Sequence, residues 1–112
     1  MADVLGAFEQ AVLLSLVKPA TARGREAYGR AILTEVQHRL GRDVAAGAVY
    51  ATLDRLEEKG LVSSHLEAGG ELRAGRPRRC FEIEPAGIRA LNEAKAATER
   101  LHGGLRWPLR VG

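Results

Sequence analysis

The chain has 112 residues, with 17 Lys and Arg against 14 Asp and Glu, giving a formal net charge of +3. This length suits one domain of ordinary size and leaves little room for a separate sensing domain, while a single cysteine excludes an internal disulfide framework. Aromatic residues are only 4% of the chain, so a helical fold with an aliphatic core is expected. The first element in chain order is an amphipathic helix from about Val4 to Val17, marked by Leu5, Phe8, Val12, Leu13 and Leu16 and ended by Pro19. Its apolar run, Ala11 to Val17, is too short to span a bilayer. Asp3 and Glu9 precede it where a signal peptide carries positive charge, so no membrane segment or targeting signal is expected and the cytoplasm is the expected compartment.

Lys18 to Ala27 reads as a connector, and a second helix is expected from about Glu26 to Leu40. Ile32, Leu33, Val36 and Leu40 face inward there, Arg30, Glu35 and Arg39 outward, and Gly41 closes the helix. Asp43, whose carboxylate would meet orphan amides at the positive end of the dipole, is placed to cap the third helix. The segment Gly47 to Val62 is the most informative in the chain. Val49, Leu53 and Leu56 recur at helical spacing, leaving Ala48, Tyr50, Ala51 and Arg55 on other faces for a partner, and Gly60 supplies a left-handed stop.

After that stop, Leu61 to Leu66 reads as a strand. Its partner lies around Cys80 to Glu84, where Phe81 and Ile83 alternate with Glu82 and Glu84. Between them residues 73–79 hold four arginines and no acid, so basic charge is focused on one loop. Pro85 and Gly87 punctuate the start of a fourth helix running to about Leu105. Its narrow stripe of Ile88, Leu91, Ala94, Thr98, Leu101 and Leu105 suits close packing against a second helix. Helix, strand, basic loop and strand in this order define a mainly α fold with a small β-wing. The expectation is a winged helix-turn-helix over residues 1–85, with a dimerisation helix and tail over 86–112, the whole forming one compact unit.

For double-stranded DNA as partner, the third helix would enter the major groove. Ala45, Gly47, Ala48 and Ala51 permit close approach and favour apolar contact with thymine methyls over bidentate hydrogen bonding. Tyr50 and Arg55 would reach phosphates, or a guanine for Arg55; the plainer alternative packs Tyr50 on helix two and pairs Arg55 with a glutamate. Arg76, Arg78 and Arg79 are placed to clamp the backbone or enter the minor groove, against the plainer reading of a solvated basic loop. Tyr28 and Gly29 at the head of helix two suit a phosphate through side chain and backbone amides, with core packing of Tyr28 as the alternative. Leu91, Ala94, Thr98, Leu101 and Leu105 form the expected homodimer seam. Trp107 has two readings, as a lining residue of an effector pocket at that seam or as a hydrophobic staple for the tail.

His38, His65 and His102 show no ligand spacing, so neither a metal site nor a cofactor is expected. No nucleophile has a base and an orienting acid in recognisable arrangement, which argues against an enzyme. Two further classes remain open: a winged-helix module that binds protein or RNA without operator specificity, and an architectural DNA binder.

The motifs Tyr28-Gly29, Gly47-Ala48-Val49-Tyr50 with Leu53, Leu56 and Glu57, Gly60-Leu61-Val62, Gly75-Arg76-Pro77-Arg78-Arg79 and Pro85-Ala86-Gly87 with Leu91 occur in an order that resembles the PadR family of bacterial transcriptional regulators, over about Leu5 to Leu101. The chain departs from the family pattern at Ala45, Ala46 and Ala48, where Ser, Pro and Thr are frequent, and at Arg30 and Cys80. The resemblance implies a dimeric winged-helix protein, usually a repressor on a pseudo-palindromic operator, which some members release on binding a small aromatic or drug-like effector. It also implies kinship with the short members, whose dimer is built mainly from the last helix and the first.

Overall fold

The structure is a computed structural model and describes residues 5–17, 27–67 and 77–112. Among the described residues four helices and three strands follow in order: α1 (Ala7–Ser15), β1 (Ala27–Tyr28), α2 (Gly29–Leu40), α3 (Ala46–Glu58), β2 (Val62–Glu67), β3 (Arg78–Ile83) and α4 (Pro85–His102). Arg76, the loop glycines and the connector residues 18–26 lie outside the described residues, as do Val4 and Glu26, the expected first residues of helices one and two.

The core is the aliphatic one that the sequence implies. Leu13, Ile32, Leu53, Leu56 and Phe81 are its largest fully buried side chains, each worth about 1.5–3 kcal/mol of transfer free energy. The inward stripes of α1, α2 and α3 meet there, with α1 packed on the other three helices and Phe8, Leu33 and Leu40 half-buried at the margin.

Helix ends explain the boundaries. At α1 the Gly6 amide donates to Glu9 Oε1 at 3.3 Å, so the helix starts at Ala7. Gly41 takes φ 70° after α2 and its amide returns to the Gln37 carbonyl at 2.9 Å, closing the helix as expected. The cap expected at Asp43 is corrected: Gln37 Nε2 donates to the Val44 carbonyl at 3.1 Å, the chain stays extended through Ala45, and Ala45 becomes the N-cap. At the end of α3, Gly60 has φ 77°, its amide donates to Glu57 at 2.9 Å, and the Leu61 amide donates to Leu56 at 2.9 Å. These two bonds make a Schellman stop.

The sheet has the order β1-β3-β2, all antiparallel. Val62 pairs with Ile83, Ser64 with Phe81 and Leu66 with Arg79, so β3 starts earlier than expected and takes in two wing arginines. Strand β1 falls where the sequence pattern gives a connector and a helix start; Ala27 opposite Phe81 and Tyr28 opposite Cys80 place it on the outer edge of β3. Two residues carry too little pattern to announce a strand. Helix α4 begins at Pro85, whose missing N–H and fixed φ suit a first position, and ends three residues before the expected Leu105, at a length of about 27 Å.

Gly87 is where α4 crosses the start of β2. A Cβ there would stand 2.7 Å from Ile83 Cγ1 and closer still to the Leu61 carbonyl oxygen, whereas a Cβ at Gly47 meets nothing within 4 Å. Gly87→Ala is expected to lower stability by about 1–3 kcal/mol, while Gly47→Ala in the first turn of α3 raises it by about 0.5 kcal/mol. Urea unfolding midpoints check both, and an unchanged midpoint for Gly87→Ala would mean that the wing and α4 separate without cost.

Candidate nucleic-acid interface

The exposed face of α3 follows from its buried one. Val49, Thr52, Leu53 and Leu56 are buried, so Ala45, Gly47, Ala48, Tyr50, Ala51 and Arg55 all lie on the exposed side. The side chains of Ala45 and Tyr28, the N-cap residues of α3 and α2, make no capping hydrogen bond. Arg55 does not pair with a glutamate through any hydrogen bond of the described residues; its Nη2 donates to Thr52 Oγ1 at 2.9 Å, one turn back on the same helix.

Tyr50 crosses from α3 to the head of α2. Its ring lies 6.2 Å from that of Phe81, and a Cβ at Gly29 would overlap its hydroxyl, so Gly29 is required for Tyr50 to seat there. Tyr50 nevertheless stays 39% exposed, which keeps its rim on the surface. On the wing side Tyr28 is half-buried. The Arg78 guanidinium sits 3.5 Å from the centre of the Tyr28 ring, and Tyr28 Oη donates to Glu67 Oε2 at 3.5 Å. Tyr28, Gly29, Arg30, Tyr50, Arg78 and Arg79 thereby line one hollow of about 630 Å³ between α2, α3 and the foot of the wing. The first turn of α2 opens into it.

The two described wing arginines face different ways. Arg78 reaches Glu67 only at 4.0 Å, whereas Arg79 bonds Asp54 at 2.9 Å and Glu57 at 2.7 Å, both on α3, and its Nε donates to Ser64 Oγ at 3.2 Å. The expected clamp residue Arg79 is therefore a strut between α3 and the wing, because strand alternation turns it toward the helix. Burial acts to lower its pKa, but the hydrogen bonds and negative charges of Asp54 and Glu57 outweigh this and hold it above the ordinary value. A raised folded pKa means that the stability it adds is complete at all pH below the arginine range and is lost only above it.

The seam residues divide. Ala94 is 2% exposed, packed in the protomer's own core where α1 meets α4, so it is corrected from seam to core. Leu91 is half-buried beside it, while Thr98 is exposed and Leu101 and Leu105 are 77% and 58% exposed. Trp107 folds back on the end of α4: its Nε1 donates to the His102 carbonyl at 3.0 Å and its ring centre is 4.6 Å from that of His102. It does not line the apolar groove of about 420 Å³ between α1 and α4, which Leu14, Val17, Ile88, Leu91 and Thr98 help to form. Sequence pattern gives no sign of a different grouping, His65, Glu67 and Cys80 on the wing, because only strand register brings them together.

Three core helices, the third with a bare outer face, and a hairpin wing define a winged-helix protein. Residues 20–93 match the Transcriptional regulator PadR-like family, and the chain belongs to it. PadR-family members are DNA-binding transcriptional regulators, not enzymes. The chain is 40% identical over 80 residues to transcriptional regulator Rv3488 of Mycobacterium tuberculosis, covering 71% of this chain and 70% of that protein. Among solved structures it is similar to a PadR family transcriptional regulator from Eggerthella lenta, with a TM-score of 0.64, 28% identity and coverage of 88% and 80% of the two chains. A transcriptional regulator from Clostridium thermocellum matches with a TM-score of 0.65 over 90% and 92% of the chains; at 20% identity it speaks to the fold alone. No helix of the described residues is long and apolar enough to cross a membrane.

Arg79→Ala should cost about 0.5–1 kcal/mol, since the Arg79 side chain is 37% exposed and solvent screens the pairs. The difference from the parent protein should shrink in high salt. An equal loss at low and high salt would assign the effect to packing of Arg79 over the Phe81 ring, 4.8 Å from its guanidinium carbon, in place of charge.

Proposed function

We propose that the protein is a homodimeric, sequence-specific repressor that occupies a pseudo-palindromic operator and thereby blocks transcription. The observation that carries this reading is the hollow lined by Tyr28, Gly29, Arg30, Tyr50 and Arg78 beside the bare face of α3. A phosphate in that hollow meets the uncapped amides of α2, the dipole of that helix and the guanidinium of Arg78. Anchored there, α3 presents Ala45, Gly47, Ala48 and Ala51 to base edges, with Arg55 at the side. Arg76 is assigned to the same backbone contact on sequence grounds, and Arg79 holds the wing at its angle to α3.

The second subunit is proposed to cover α4. Leu101 and Leu105 on its outer half and the apolar groove against α1 offer the surface that a partner helix would bury. On this division residues 1–85 read DNA and 86–112 join the subunits. The same groove carries Gln10, Asn92 and Lys95 at its margin, a fit for a small aromatic or drug-like effector with a polar or anionic end.

Fluorescence anisotropy against promoter DNA and a scrambled duplex, at two salt concentrations, tests the reading. Promoter preference of several orders of magnitude with steep salt dependence is expected; weak and equal binding to both would favour a module that binds protein or RNA. Arg78→Ala should weaken binding to every duplex and reduce the salt slope by about 1 for each phosphate it no longer neutralises, and an unaltered slope would remove Arg78 from the interface. Leu101→Glu is expected to give folded monomers by light scattering, and a persistent dimer would refute the seam on α4.

A further inference from the structure

We infer that the wing carries a binding site for a thiophilic divalent cation of the zinc class, formed by Cys80, His65 and Glu67. The register of the sheet makes it. His65 stands directly opposite Cys80, and Glu67 lies two residues on from His65 and so on the same face. Their ligand atoms all lie within 4.8 Å of one another, and Cys80 Sγ is 3.2 Å from Glu67 Oε2. Zinc bonds of about 2.0–2.3 Å at tetrahedral angles place ligand pairs roughly 3.3–3.7 Å apart, so the sulfur and carboxylate, at 3.2 Å, need open by only a few tenths of an ångström to reach ligand spacing. His65 is exposed, and rotation of its side chain supplies the remaining approach.

The donor set selects the metal. A thiolate with an imidazole and one carboxylate suits zinc or a softer ion of the same charge and disfavours calcium and magnesium, which take oxygen alone. Binding requires the Cys80 thiol to lose its proton to solvent, with His65 neutral and Glu67 ionised; three protein ligands leave a fourth position for water. Cys80 is fully buried although it points to the face of the sheet opposite Phe81, which fits a ligand held beneath its partners. A cation there would join β2 to β3 and compete with Arg78 and Tyr28 for the Glu67 carboxylate.

Cobalt(II) is the probe, because thiolate coordination gives it an intense near-ultraviolet charge-transfer band. Titration of the reduced full chain should develop that band to one equivalent per protomer, and zinc should bleach it. His65→Ala and Glu67→Gln, both at the surface of the wing, are expected to weaken cobalt binding at least tenfold while leaving the circular dichroism unchanged, and Cys80→Ser should abolish the band. Zinc should also raise the Tm of the parent protein and not that of His65→Ala. Folded parent protein that gives no thiolate band, or a band with the same affinity in His65→Ala and Glu67→Gln, would overturn the site; neither outcome depends on DNA binding.

Discussion

The arrangement hangs on the Leu61 peptide. Gly60 can enter the left-handed region at little cost, and so α3 stops in a single residue, with the Leu61 amide bonded back to Leu56. The carbonyl of the same residue accepts the Glu84 amide at 2.9 Å, which fixes where β3 ends. Gly87 then lets α4 pass over that carbonyl without a side chain between them. The end of α3, the start of β2, the end of β3 and the start of α4 are thus set within one small volume. The angle between helix and wing, on which any DNA reading depends, starts from there.

That angle is held further out by charge. The wing strands turn successive arginines to opposite faces, so Arg79 meets Asp54 and Glu57 while Arg78 lies on the Tyr28 ring. Without Arg79, α3 would present two uncompensated carboxylates beside the surface proposed for DNA. The arginine is paired with both, while Arg78 and Arg30 bring further positive charge to the hollow. Arg78 and Arg79 therefore do not act as a unit: strand alternation gives the two different contacts.

Much of the fold is legible in the sequence because its signals are local. The stripes of Leu13 and Leu16, Ile32 and Val36, and Val49, Leu53 and Leu56 repeat at helical spacing, and Gly41 and Gly60 mark stops through their own backbone freedom. What escapes depends on contacts distant in sequence. Two residues, Ala27 and Tyr28, become a strand only because β3 offers them an edge, and the neighbourhood of His65, Glu67 and Cys80 exists only in one register of the hairpin. The seam illustrates the same limit from the other side. Ala94 and Leu101 share a stripe on α4, but α1 covers only its first half, so one is core and the other stands in solvent.

Helix starts give the last step. At α1, Glu9 accepts the Gly6 amide, and at α4 the first position is a proline with no amide to satisfy. Helices α2 and α3 have neither device: the side chains of Tyr28 and Ala45 at their N-caps make no capping hydrogen bond, and a capping residue there would be worth about 1 kcal/mol each. None of the four described helices has a capping bond from its N-cap side chain, and α2 and α3, the two of the helix-turn-helix, also lack the devices of α1 and α4. A ligand anion would satisfy those amides as a cap does, and it would add its own charge to the favourable end of the dipole. On the proposed reading, the stability that α2 and α3 forgo in the free protein would be returned most strongly by a negatively charged partner that reaches the α2–α3 face.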